Sequence, residues 1–186
     1  MSDVRKVAVL VGSLRKGSLN LKLAHVLKEL APPELDLHLV TIGDLPLYDS
    51  DLEDAAPAAW TTFRQAVRAC DAVLFVTPEY NRSVPGALKN ALDVGSRPYG
   101  HSVWSGKPGA VISASPGAIG GFGANHHLRQ SLVFLDVPAM QQPEAYISGA
   151  DKLFDDHGHL VNEGTKKFLH GFMESFGHWV ARNIRV

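Results

Sequence analysis

The chain has 186 residues, 45% of them apolar and 20% charged, with 18 basic residues against 19 acidic ones. These proportions exclude disorder, collagen and coiled coil as whole-chain readings, and the net charge of −1 argues against a general nucleic-acid binder. The length predicts one domain over residues 1–186, and the lone Cys70 excludes both a disulfide framework and a cysteine zinc cluster.

The first apolar run, Val7 to Val11, is too short for a signal-peptide core or a membrane span, so a cytoplasmic protein with no membrane partner is expected. Its lack of alternation reads as a strand buried on both faces. Leu19, Leu23, Val26, Leu27 and Leu30 then recur at helical spacing until Pro32-Pro33 stops the helix. Leu35 to Ile42 reads as a second strand, and the acidic stretch from Gly43 to Ala56 as a solvated loop. Pro57 opens a helix to about Cys70, and Ala72 to Val76 is a third buried strand.

A helix from Ser83-Val84-Pro85 to about Val94 follows, then a loop from Gly95 to Pro108 and a fourth strand at Ala110 to Ile112. The Gly-rich stretch 117–123 leads to a helix from about Asn125 to Leu135. A short fifth strand lies between Val137 and Ile147. Leu153 to Leu160 reads as a turn. Glu163 to Arg182 is the last helix, with Phe168, Phe172, Phe176 and Trp179 on one stripe that packs on the sheet or on a partner subunit. Apolar strands alternating with helices predict an α/β protein: a three-layer, doubly wound sandwich around a five-stranded parallel sheet in the order 2-1-3-4-5. Ligands of such sheets bind beyond the carboxyl ends of the strands, where the order reverses, which directs attention to the loops after strands one, three and four.

The first of these loops is Gly12-Ser13-Leu14-Arg15-Lys16-Gly17-Ser18-Leu19-Asn20. It offers the unpaired amides of a helix N-terminus, hydroxyl and amide donors at Ser13, Ser18 and Asn20, the guanidinium of Arg15 and the charge of Lys16, which together suit a phosphate. The plain alternative is a turn in which Ser18 caps the helix. The ending required of a nucleotide-triphosphate loop and the Gly-x-Gly-x-x-Gly of a dinucleotide fold are both missing.

After strand three come Pro78, Glu79, Tyr80, Asn81 and Arg82, whose peptide edges and apolar faces suit a flat heteroaromatic ring. Glu79 has three readings: a general base without a partner in its loop, a capping residue, or a residue that shapes the ring-binding backbone. After strand four, Ser113-Ala114-Ser115-Pro116-Gly117 looks like a nucleophile elbow but has Ser113 where the first Gly belongs. A glycine loop that lets backbone approach a ligand fits it better.

Three motifs together resemble the NADPH-dependent FMN reductase family, the flavodoxin-like group that includes quinone, azo-dye and chromate reductases. They are the 12–20 loop, Pro-Glu-Tyr-Asn at 78–81 and Pro-Gly-Ala-Leu-Lys-Asn-Ala-Leu-Asp at 85–93. Residues 115–121 and 128–136 match in the same order, so the likeness runs from about residue 5 to 160. It implies a flavodoxin-like fold and a non-covalent FMN. Ser13, Arg15, Lys16, Gly17, Ser18, Leu19 and Asn20 would stand at its phosphate end. Pro78, Glu79, Tyr80, Asn81 and Arg82 would lie along the ring edge, and Ser115 and Gly117 would face it.

The resemblance further implies NADPH or NADH as hydride donor and small-molecule electron acceptors such as quinones, azo compounds, chromate or flavin, served in turn over one flavin. Its hydride chemistry belongs to the cofactor, so no side chain is nominated as acid or base. The chain departs from the family at Val94, where Trp is common, and at Arg82, where small or aromatic residues are usual. The rival reading is a flavodoxin-type electron carrier. Such carriers tend to be strongly acidic, and a net charge of −1 speaks against one. A third reading keeps FMN only as structure in a regulatory protein.

Among the remaining signals, His157-x-His159 reads as solvated turn residues in preference to metal ligands, and the adjacent His126 and His127 point about 100° apart on a helix and make a poor chelate, so no metal is expected. Cys70 reads as a buried structural thiol. Arg97, Pro98, Tyr99, His101 and Trp104 suggest an interface, in line with the homodimers or homotetramers that the resemblance implies.

Overall fold

A computed structural model describes residues 4–184. Five strands, β1 (Arg5–Val11), β2 (Leu35–Leu39), β3 (Ala72–Thr77), β4 (Gly109–Ala114) and β5 (Ala145–Ile147), form one sheet. All neighbours are parallel, in the order β2-β1-β3-β4-β5. Every residue of β3 and β4 is buried, which is why their sequences do not alternate.

Five α-helices connect and close the sheet: α1 (Leu19–Glu29), α2 (Ala58–Arg68), α3 (Gly86–Gly95), α4 (Phe122–Phe134) and α5 (Glu163–Asn183). On one face Leu23 and Leu27 of α1 and Phe172, Met173 and Phe176 of α5 pack against Val9, Leu74 and Ile112. On the other, Trp60 and Phe63 of α2, Leu88 and Leu92 of α3 and Leu128 and Leu132 of α4 pack against Ala8, Phe75 and Val111. These are the two outer layers of a flavodoxin-like sandwich.

The structure moves several expected boundaries. β2 ends at Leu39, not Ile42. It is an edge strand, and after Val40 donates to the Val9 carbonyl the chain leaves the sheet and turns Ile42 into the second core. The acidic loop contains a 3₁₀ segment, Ser50–Ala55, started by the Asp49 carboxylate accepting from the Asp51 amide at 3.0 Å. Such a local side-chain cap leaves no hydrophobic period to read. α4 begins at Phe122, three residues early, and Gly123 lies within it.

The C-terminal stripe is also displaced. Phe172 and Phe176 are fully buried with Leu169 and Met173, whereas Phe168 is 38% exposed. Trp179 is half-buried, its indole N–H donating to the Pro138 carbonyl. Trp104 is not a surface aromatic. It is fully buried, donates to the Leu92 carbonyl at 2.9 Å and fills the space a side chain on Gly95 would need, while Tyr99 of the same loop is largely exposed. Among the described residues no helix is long and apolar enough to cross a membrane.

Candidate functional site

The topology sends three loops from one end of adjacent strands. Val11 lies beside Val76, and Thr77 beside Ser113, so loops 12–18, 78–85 and 115–121 start within two strand spacings, roughly 10 Å. Bonds then lock them together. The Gly12 amide donates to the Val76 carbonyl at 2.9 Å, and a Cβ on Gly12 would stand 3.0 Å from Thr77 Oγ1 and 3.2 Å from Pro78 Cδ. Asn20 Nδ2 donates to the Ala114 carbonyl at 3.1 Å, tying the first loop to β4.

Ser18 caps α1 by accepting from the Leu21 amide at 3.1 Å, and its hydroxyl hydrogen remains to be given. The cap and the anion site are therefore compatible. Ser13 is half-buried, while Arg15, Lys16 and Gly17 are exposed at the mouth, and the first amides of α1 have no acceptor within the helix. Asn20 is only 3% exposed, and its Oδ1 is buried with no hydrogen-bond partner. That orphaned acceptor asks for a hydroxyl donor beside the anion site. FMN, which carries hydroxyls next to its phosphate, fits this pairing.

The second loop is a two-residue hairpin. Tyr80 and Ser83 exchange both backbone bonds, at 3.1 and 3.0 Å, around Asn81 (φ 50°) and Arg82 (φ 64°). Asn tolerates the left-handed region, whereas Arg pays about 1–2 kcal/mol for it. Tyr80 and Ser83 satisfy each other, whereas among the described residues the amides of Glu79, Asn81 and Arg82 find no acceptor.

Glu79 is held from behind. Its Oε2 accepts the Ala124 amide at 3.1 Å in the first turn of α4, and its Oε1 lies 3.2 Å from exposed Arg82 Nη1. A carboxylate at a helix N-terminus is favoured by the helix dipole, so the capping reading of Glu79 describes its side chain. A Cβ on Gly123 would come within 2.9 Å of that carboxylate and 3.0 Å of the Arg82 carbonyl oxygen, so a side chain there would crowd the hairpin. A second tether joins Ser83 Oγ to His127 Nδ1 at 2.8 Å. The sequence marked neither the Ala124 amide nor His127 as part of the site.

In the third loop Ser115 Oγ accepts the Gly117 amide at 3.1 Å, making a small turn whose Pro116, Gly117 and Ala118 are exposed. Gly120 has φ 58° and lies against β5, where a Cβ would approach the Tyr146 carbonyl carbon to 2.7 Å. A cavity of about 500 Å³ lies elsewhere, between β2 and α2, lined by His38, Leu45, Phe63 and Cys70 among others, and the three loops do not reach it.

The other signals resolve locally. Cys70 is buried, and its burial pushes the thiol pKa up, as expected for an inert structural thiol. Asp155 accepts the amides of His157 and His159 in a surface turn, chiefly the His159 amide, and these bonds hold its carboxyl below the ordinary value. His126 meets the Tyr146 hydroxyl at 2.8 Å, whereas His127 points to Ser83. Burial first, then Glu144, pushes the Tyr146 phenol up to about 12.

Residues 5–152 match the model of the NADPH-dependent FMN reductase family. The chain belongs to this family, and it is accordingly a flavin enzyme whose cofactor is FMN. It is 66% identical, over all of both chains, to a quinone reductase of Pseudomonas putida. It is 50% identical to a 2-hydroxy-1,4-benzoquinone reductase of a Burkholderia species, covering 97% of this chain and 98% of that one. Among solved structures, the flavoenzyme NAD(P)H:(acceptor) oxidoreductase FerB of Paracoccus denitrificans superposes with a TM-score of 0.92 at 46% identity, covering 98% of this chain and all of the other.

Proposed function

We propose that the chain is an NAD(P)H-dependent quinone reductase acting through FMN held at the carboxyl ends of β1, β3 and β4. The observation that carries the reading is the buried, unpartnered Oδ1 of Asn20, on the side chain that ties the start of α1 to the end of β4. Ser13, Arg15, Lys16, Gly17, Ser18, Leu19 and Asn20 would hold the phosphate and adjacent hydroxyls. Pro78, Glu79, Tyr80, Asn81 and Arg82 would line the ring edge, with Ser115 and Gly117 opposite. Bound FMN supplies a two-electron relay in which NAD(P)H and the quinone take turns.

The protein's part in this is electrostatic and positional. The α1 dipole and Arg15 neutralise the phosphate. The 78–83 hairpin is fixed before any ligand arrives, since its left-handed turn, the Glu79 cap and the His127 tether over-determine its shape. Donors set in this way cost no reorganisation when charge develops beside them. Quinones are favoured as acceptors by the activities in the names of the two relatives. Azo compounds, chromate and free flavin extend the same proposal. Steady-state rates with varied NADPH at several fixed quinone concentrations test it. Parallel double-reciprocal lines are expected, and turnover that needs an added reductase would indicate an electron carrier.

A homo-oligomer in the cytoplasm belongs to the same reading. Val133 and Phe134 stand 81% and 89% exposed on α4, and Phe122 is half exposed on the same helix. Sedimentation at micromolar concentration should give a dimer or tetramer, and the mass of a single chain would contradict it.

A further inference from the structure

Away from the three loops, α2 faces the segment that joins α3 to β4 across a cavity of about 440 Å³. Its walls include Thr61, Arg64, Gln65, Arg68, His101 and Ser102. The two arginines are one helical turn apart, so both side chains leave the same face of α2. Arg64 is only 7% exposed. Its Nε donates to the Val94 carbonyl at 2.9 Å, and its guanidinium lies over the Trp60 ring, 5.4 Å from the centroid. Its Nη2 is buried and donates to nothing. Arg68 is exposed and gives one bond, at 3.3 Å, to the His101 carbonyl.

Among the described residues neither arginine is in an ion pair. Burial lowers the pKa of Arg64, but a guanidinium stays charged in a protein. The carbonyl end of α2 attracts cations and accounts for Arg68. It does not account for Arg64, whose carbonyl partner belongs to α3 and whose Nη2 has no acceptor. Glu53 favours the Arg64 charge from beyond ion-pair distance, and a buried cation with an unspent donor gains further from an anion in direct contact.

We propose that this cavity is a second oxyanion site that binds a phosphate monoester. Two guanidinium forks match phosphate oxygens, and Thr61, Gln65 and Ser102 add neutral donors. The volume exceeds that of one phosphate group, so the phosphate can be free or carried on a small molecule such as the 2′-phosphate end of a dinucleotide. The site shares no residue with loop 12–20 and stands whether or not the flavin reading does.

The test is thermal denaturation of the FMN-saturated protein at constant ionic strength, with chloride replaced by 20 mM inorganic phosphate or by adenosine 2′-monophosphate. For a Kd of about 1 mM the midpoint should rise by about 4–7 °C. Arg68→Gln, an exposed change that spares the core, should abolish the rise, and Arg15→Gln should leave it intact. A larger rise with the nucleotide identifies the dinucleotide as the source, and an equal rise identifies free phosphate. No rise with either compound, or a rise that survives Arg68→Gln and is lost in Arg15→Gln, overturns the proposal.

Discussion

Asn20 spends only half of its side chain on the fold. Its Nδ2 satisfies the Ala114 carbonyl, and Oδ1 is left buried without a hydrogen-bond partner. Asn20→Ala removes both. The Ala114 carbonyl is then left unpaired, at a cost of about 1–3 kcal/mol that urea denaturation would report. FMN affinity should fall about tenfold, the loss of roughly one hydrogen bond, as read by quenching of flavin fluorescence. Unchanged affinity in a folded Asn20→Ala protein would remove the residue from the site. The sequence pointed to Asn20 as a donor. That its Oδ1 stays unpartnered was hidden, because the partner of Nδ2 lies 94 residues away. Arg64 was hidden for a similar reason. An arginine on a helix reads as solvent-facing until Trp60 and Val94 are placed around it.

Among the elements, α4 holds the 78–83 hairpin at two points. Its first turn meets the Glu79 carboxylate and its second turn holds Ser83 through His127, so the helix fixes that hairpin from behind. Glu79→Gln keeps an acceptor for the Ala124 amide and should cost less than about 1 kcal/mol. Glu79→Ala uncaps α4 and should cost about 1–2 kcal/mol in urea denaturation. Equal stabilities for the two variants would show that the cap does not hold the helix. The glycines before α4 were legible as a loop that lets backbone approach a ligand, whereas the close approach in the structure is that of Gly120 to the β5 backbone. The true start of α4 was not, since Phe122 and Gly123 break the apolar period and the residue that caps the helix comes from another loop. By contrast the boundaries of α1 were readable within one residue. Ser18 and Pro32-Pro33 act locally at its two ends.

Across the whole molecule the sheet order was legible, because strands buried on both faces and joined by helices admit few topologies. The order matters for chemistry. It puts β1, β3 and β4 side by side and so brings three loops far apart in the chain to one place. What the sequence concealed is how those loops are bonded to one another, through the Gly12, Asn20 and Glu79 contacts, since all of these depend on residues dozens of positions away. The near-neutral charge has a consequence at this scale as well, as it leaves no broad field to steer a protein partner and favours small acceptors. The most direct test is an anaerobic titration followed by absorbance. Flavin-free protein is loaded with FMN, reduced with NADPH or NADH, and then treated with a quinone. One FMN should bind per chain, be bleached by about one equivalent of donor and be restored by about one equivalent of quinone, as a two-electron relay requires. Failure to bind FMN, or bound FMN that the nicotinamide donor leaves oxidised, would contradict it.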